Sequence, residues 1–174
     1  MTLRIRKGSH TYKTTISTAL ERCFLAKRKF VYRLDGDVIR TGLNKGLGFT
    51  RGDNYENHRR ASEVAKIIAQ GSAIVIVAFM SPYAEHRTLA REMHESAGVP
   101  FVEVFVDAPI EVTEARDPKG LYHLARLGQL TNFNGLDAPF DVPANPDVHV
   151  RTNEMTVEEC TRSIIDYLQN KGFV

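Results

Sequence analysis

The sequence predicts an α/β fold, a five-stranded parallel sheet flanked by helices. Three observations carry that expectation. Short β-branched runs alternate with longer polar-patterned segments, as repeated βαβ units require. One run, "AIVIVAF" (73–79), is apolar throughout, which suits a central strand covered on both faces. No internal repeat or linker divides the 174 residues, enough for one domain over 1–174 that buries most of its apolar surface.

The first strand is "TLRIR" (2–6), and its arginines, Arg4 and Arg6, sit awkwardly in it. A strand that feeds a phosphate-binding loop normally runs mid-sheet, among apolar neighbours. The next stretch, "KGSHTYKTT" (7–15), occupies the place of such a loop. A working loop reads G-x-x-x-x-G-K-[ST], with backbone N–H groups around the phosphates. Lys13 and Thr14 stand at the lysine and hydroxyl positions, but Lys7 and Tyr12 hold the two glycine positions. Gly8 lies one place after the first of them. A bulky Tyr12 held at positive φ is expected to be strained by roughly 1–3 kcal/mol, with its ring in phosphate space.

A helix over about 14–27 leads to the strand "FVYRLD" (30–35), which closes in "LDGD" (34–37). Carboxylates at a strand's C-terminal end sit where open α/β sheets bind ligands. Asp35 and Asp37 can accept a hydroxyl proton or hold a metal-bound water. Alternatively, Asp37 caps a helix beginning "VIRTGL". In "GLGFTRGDNYENHRR" (46–60), Phe49 belongs to a loop and can stack on a planar base. Arg59 and Arg60 open the next helix (57–70), either to receive an anion at its N-terminus or as a solvated face. Val64, Ile67 and Ile68 form its apolar face.

The central strand runs into "FMSPY" (79–83), where Ser81 either meets a ligand or caps the helix over 84–97. "FVEVFVD" (101–107) is the fourth strand and "DVHVR" (147–151) the fifth, followed by a helix over 156–171. Between them a helix spans 109–127 and contains "RDPKGLY" (116–122). Arg116, Lys119 and Arg126 there suit the shifting charge of phosphoryl transfer. Residues 128–146 are rich in Gly, Pro, Asn and Asp and read as a lid-like loop carrying a second aromatic, Phe133, that is a stacking group or a packing anchor.

Several function classes are disfavoured. A formal charge of +2 is too small to imply a nucleic-acid or membrane partner. The longest apolar run, "AIVIVAFM" (73–80), is too short to span a bilayer, and no signal core opens the chain. Cys23 and Cys160 lack metal-like spacing and suit a reducing, cytoplasmic location. His86, His94 and His123 are expected on helix surfaces and His149 on a strand, none as ligand or base.

Taken together, "KTTISTALE", "RLDGDVIRTGLNKGLGF", "ENHRRASEVAK", "SPY", "VPFVEVFVDAP", "RDPKGLY" and "PANPDVHV" resemble the adenylylsulfate (APS) kinase family, in family order from about residue 13 onward. The resemblance implies a P-loop kinase-like fold with a lid near 119–145. It implies phosphoryl transfer from MgATP to the 3′-hydroxyl of adenosine 5′-phosphosulfate, giving 3′-phosphoadenosine 5′-phosphosulfate and ADP. A homodimer is usual, and fusion or association with ATP sulfurylase is a further implied partner. Carried onto this chain, His10, Thr11, Tyr12, Lys13, Thr14 and Thr15 become the ATP loop. Thr14 and, through water, Asp35 face Mg²⁺, while Asp37, Asp35 and Lys13 serve catalysis, Asp37 at the 3′-hydroxyl. Arg40, Phe49, Asn54, Asn57, Met80, Ser81, Lys119, Asn132 and Phe133 line the sulfonucleotide site, with Phe49 and Phe133 sandwiching the adenine.

The chain departs from the family pattern at several of these positions. Besides the loop glycines, Asn54 replaces an arginine, Thr131 a lysine, Asn134 a threonine and Val38 an asparagine. Two readings follow: a working kinase with a divergent loop, which the survival of Lys13, Thr14, Asp35 and Asp37 favours, or a domain that binds the sulfonucleotide as a sensor. The kinase-like domain at the end of fungal ATP sulfurylase is a precedent for the second.

Overall fold

The computed structural model describes residues 1–6, 10–117, 120–129 and 140–174. Five parallel strands form one sheet in the order β2-β3-β1-β4-β5. They are β1 (Thr2–Arg6), β2 (Val31–Asp35), β3 (Ile74–Ala78), β4 (Phe101–Asp107) and β5 (Val148–Arg151). Each predicted strand is present, β1 and β4 with the predicted bounds and the other three shortened by a residue or two. β3 is buried at every position, as its unbroken apolar run requires.

Alternation along each strand divides the core between two faces. Leu3 and Ile5 of β1, Ile74 and Ile76 of β3, and Val102, Val104 and Val106 of β4 pack with Ile16, Leu20 and Phe24 of α1 (His10–Ala26) and Ile164 and Leu168 of α7 (Val157–Asn170). On the other face Val75, Val77 and Phe79 meet Ala61, Ala65 and Ala69 of α3 (Arg51–Gln70). Here α4 (Ala84–Glu95) packs beside α3 and carries the fully buried His86 and His94. Those two histidines were expected on the surface; burial against Tyr55, Tyr83 and Phe101 places them inside instead.

β1 does lie mid-sheet, and Arg4 is 1 % exposed. The awkward cation is accommodated by hydrogen bonds that it donates to three side chains, described below, as a buried charge requires.

Helix boundaries differ more than strand boundaries. α1 begins at His10 and not near residue 14. α3 begins at Arg51, because Thr50 and Asp53 form a reciprocal capping box ahead of it. Arg59 and Arg60 therefore lie within the helix, and both chelate Glu56 at 2.7 Å. A short α2 (Gly36–Ile39) follows β2, and Asp35 caps it, not Asp37. The helix expected over 109–127 is two pieces, α5 (Ile110–Arg116) and α6 (Leu121–Arg126), as the Pro118 and Gly120 between them favour.

Candidate functional site

The C-terminal ends of the parallel strands share one edge of the sheet, where α/β folds bind ligands at the point of reversed strand order. That point is β1, flanked by β3 and β4. Its exit segment, residues 7–9, lies outside the described residues. The chain re-emerges in α1, whose first turn carries Lys13, 4 % exposed. Positive backbone dipoles and a lysine at one helix start suit phosphate.

Beside it, Thr14 Oγ1 donates to Asp35 Oδ2 at 3.3 Å. The same carboxylate oxygen accepts from Arg33 at 3.3 Å, and Oδ1 accepts from the Asp37 N–H at 3.0 Å. Asp35 is thus fixed from three directions, while Asp37 is exposed in the first turn of α2. One carboxylate is anchored and the other is exposed to solvent.

Tyr12 differs from expectation. It sits in the helical backbone of α1, not at positive φ, so no backbone strain attaches to it. Its ring packs partly against the core beneath α1, and the Arg116 guanidinium lies 4.3 Å above the ring. Arg116 is held there by Thr152, donating to its carbonyl at 3.1 Å and lying 3.4 Å from its hydroxyl. Arg126, expected to face transferring phosphates, forms a fork with Glu114 at 2.8 and 3.1 Å.

A second cluster grows from the C-terminus of α2. Arg40 donates to the Leu47 and Gly48 carbonyls at 3.0 and 3.1 Å, and its guanidinium lies 4.4 Å over the Phe49 ring. Burial lowers the Arg40 pKa, with Asp37 and Asp53 acting in the opposite sense. Phe49 is 74 % exposed, an unusual position for a phenylalanine and a usable one for a stacking platform. Asn54 Nδ2 donates to the Phe49 carbonyl at 3.0 Å, so the residue at the arginine position braces the loop. A side chain on Gly48 would meet Asp53 Oδ2 at 2.9 Å, the carboxylate that closes the capping box with Thr50.

Asn57 is buried, and its Oδ1 accepts from Asn44 Nδ2 at 2.8 Å. Met80 is half-buried and Ser81 fully buried in the segment after β3. Ser81 does not cap α4, whose N-cap is Tyr83; it accepts from Arg4 instead. Lys119, Asn132 and Phe133, with residues 130–139 of the expected lid, lie outside the described residues.

Sequence reasoning missed Arg4, His58 and Ser62 as a group, and Asn44 as the partner of Asn57. For Arg4 the only signal was a charge at an alternate position of an aliphatic strand. Nothing local marked Asn44.

Comparison with known proteins places this arrangement. A model of the family described as adenylylsulphate kinase matches residues 2–151. The adenylyl-sulfate kinase of Saccharomyces cerevisiae is 53% identical over 162 residues, covering 93% of this chain and 80% of that protein. That of Penicillium chrysogenum is 48% identical over 181 residues, covering 100% and 86%. The solved structure of the Mycobacterium tuberculosis APS kinase in complex with AMPPNP and APS superposes with a TM-score of 0.93 at 43% identity, covering 97% of this chain and 96% of that one. With its sheet order, its lysine-bearing helix start and its paired carboxylates, the chain belongs to the adenylylsulfate kinase family.

Proposed function

We propose that this chain moves the γ-phosphoryl group of ATP to the 3′-hydroxyl of adenosine 5′-phosphosulfate, with the roles that follow. The observation that carries the reading is the juxtaposition of Lys13 and Thr14 with Asp35 and Asp37. Lys13, at the start of α1, binds the phosphates of ATP as a point charge. The Thr14 hydroxyl and Asp35 carboxylate, 3.3 Å apart, are hard oxygen donors and fit Mg²⁺, directly or through water. The ion supplies neutralisation of charge on the β- and γ-phosphates. Asp37, exposed and close enough to act on Arg40, orients the ribose 3′-hydroxyl and takes its proton. Phe49, steadied by Arg40 and Asn54, stacks on the adenine of the sulfonucleotide. Phosphoryl transfer asks little covalent chemistry of a protein, so this positioning supplies most of the rate.

A second reading, sulfonucleotide binding without turnover, is favoured by one observation: Tyr12 stands at the glycine position and covers the Arg116 guanidinium. Calorimetric titration separates the two. The kinase binds both MgADP and adenosine 5′-phosphosulfate, and Phe49→Ala loses about tenfold affinity for the sulfonucleotide with MgADP affinity within twofold. Binding of the sulfonucleotide alone supports the sensor, and equal loss of both ligands in Phe49→Ala overturns the stacking role.

The remaining expectations belong with this proposal. They are a homodimer, supply of substrate by a sulfate-adenylylating enzyme such as ATP sulfurylase, and a reducing, cytoplasmic setting for the free Cys23 and Cys160.

A further inference from the structure

Arg4 is among the largest fully buried side chains, in the middle strand of the sheet. Glu103, its cross-strand neighbour on β4, favours its charge against the cost of burial. Its hydrogen bonds go to Ser62 Oγ at 3.1 Å, to Ser81 Oγ from Nε at 3.3 Å and from Nη2 at 3.2 Å, and to His58 Nδ1. A guanidinium only donates, so His58 Nδ1 is the bare nitrogen and Nε2 carries the hydrogen. The segment that Arg4 grips is gripped a second time. Arg87 donates to the Ser81 and Pro82 carbonyls at 3.1 and 3.3 Å, and it pairs with Glu103, the residue across from Arg4 on β4.

The family resemblance assigns Met80 and Ser81 to the sulfonucleotide site, and α3 carries two more of the residues it assigns there, Asn54 and Asn57, four residues and one residue before His58. Arg4 therefore joins both segments through side chains 54 to 77 residues distant in sequence. We propose that Arg4 is a positioning residue that holds the 80–83 segment and α3 in register for the sulfonucleotide, a role that rests on the reading of the site given above. Arg4 does not touch the ligand. It acts by fixing the Ser81 hydroxyl as an acceptor and His58 as one tautomer, which sets the approach of Met80 and Asn57.

The test compares wild type, Arg4→Met, Arg4→Lys and Ser62→Ala by steady-state kinetics and calorimetry, with thermal melting as the folding control. Arg4→Met, which leaves three buried acceptors without a donor, is expected to raise the sulfonucleotide KM and Kd about tenfold with the ATP KM within twofold. Arg4→Lys restores part of that loss. Ser62→Ala, at an acceptor outside the proposed site, keeps the cation, deletes one of its bonds and shifts the same constant, so the proposal stays testable where Arg4→Met does not fold. Wild-type sulfonucleotide affinity in both Arg4→Met and Ser62→Ala, or parallel loss for ATP, overturns the role of Arg4. A wild type that binds no sulfonucleotide overturns the reading of the site, and the role of Arg4 falls with it.

Discussion

Tyr12 shows how a single side chain reshapes a site without distorting the backbone. Where a phosphate loop places glycine, this chain places an aromatic within α1, its ring wedged between core and the Arg116 guanidinium. A cation stacked on a ring and bonded to Thr152 is less available to an incoming nucleotide. Tyr12→Gly is therefore expected to improve MgADP affinity about three- to fivefold by releasing that stack. The same change removes a packed ring and weakens a helix turn, so melting temperature falls. Unchanged or weaker nucleotide binding in a folded Tyr12→Gly chain would show that the obstacle lies elsewhere. The placement of several of these residues was legible: Thr14 bonds Asp35, Asp35 accepts from the Asp37 N–H, and Phe49 is exposed in a loop. Arg4 was not, because its partners lie on α3 and after β3, and no local pattern announces a contact closed by the fold.

At the scale of the element, strands were easier to read than helix starts. An apolar run has a visible beginning and end, whereas a helix start depends on which polar side chain turns back on the backbone. "TRGD" (50–53) and "TVEE" (156–159) both satisfy the capping-box pattern, and both boxes form. Reading the first would have moved the start of α3 from 57 to 51 and removed Arg59 and Arg60 from the list of anion contacts. The split between α5 and α6 was signalled by Pro118 and masked by the apolar spacing on either side. The box ahead of α3 has a functional consequence as well. Thr50 follows Phe49 directly, accepts from the Asp53 N–H at 3.1 Å and donates to its carboxylate at 2.7 Å. Thr50→Ala is expected to lower the melting temperature by roughly 2–4 °C through loss of the cap. It should also weaken sulfonucleotide binding with little change for MgADP. A thermal shift with no binding change would separate the cap from the platform.

For the whole molecule, a parallel sheet with cores on both faces brings Lys13, Thr14, Asp35 and Asp37 to one edge and leaves buried polar groups behind it. Three of these are histidines. Burial lowers the pKa of His58, His86 and His94, that of His58 well below the usual imidazole value, with Arg4 as its next cause and the Met80 carbonyl acting in the opposite sense. The folded chain keeps these rings neutral, while the unfolded chain protonates them below about 6.5. Unfolding thus takes up protons, so stability is full above that pH and declines as acid is added toward the lowered folded values. The melting temperature is expected to fall between pH 6.5 and 5.5, before ordinary carboxylates titrate; a flat profile from pH 7.5 to 5.5 contradicts neutral burial.

Catalysis itself is read most directly by following label from γ-³²P-ATP in the presence of Mg²⁺ and adenosine 5′-phosphosulfate. The arrangement of Lys13, Thr14, Asp35 and Asp37 predicts label in 3′-phosphoadenosine 5′-phosphosulfate, reduced at least about a hundredfold in Asp37→Asn as the proton acceptor is removed. Sulfonucleotide bound without any transfer of label by the wild-type chain would contradict it and leave a binding domain on a kinase scaffold.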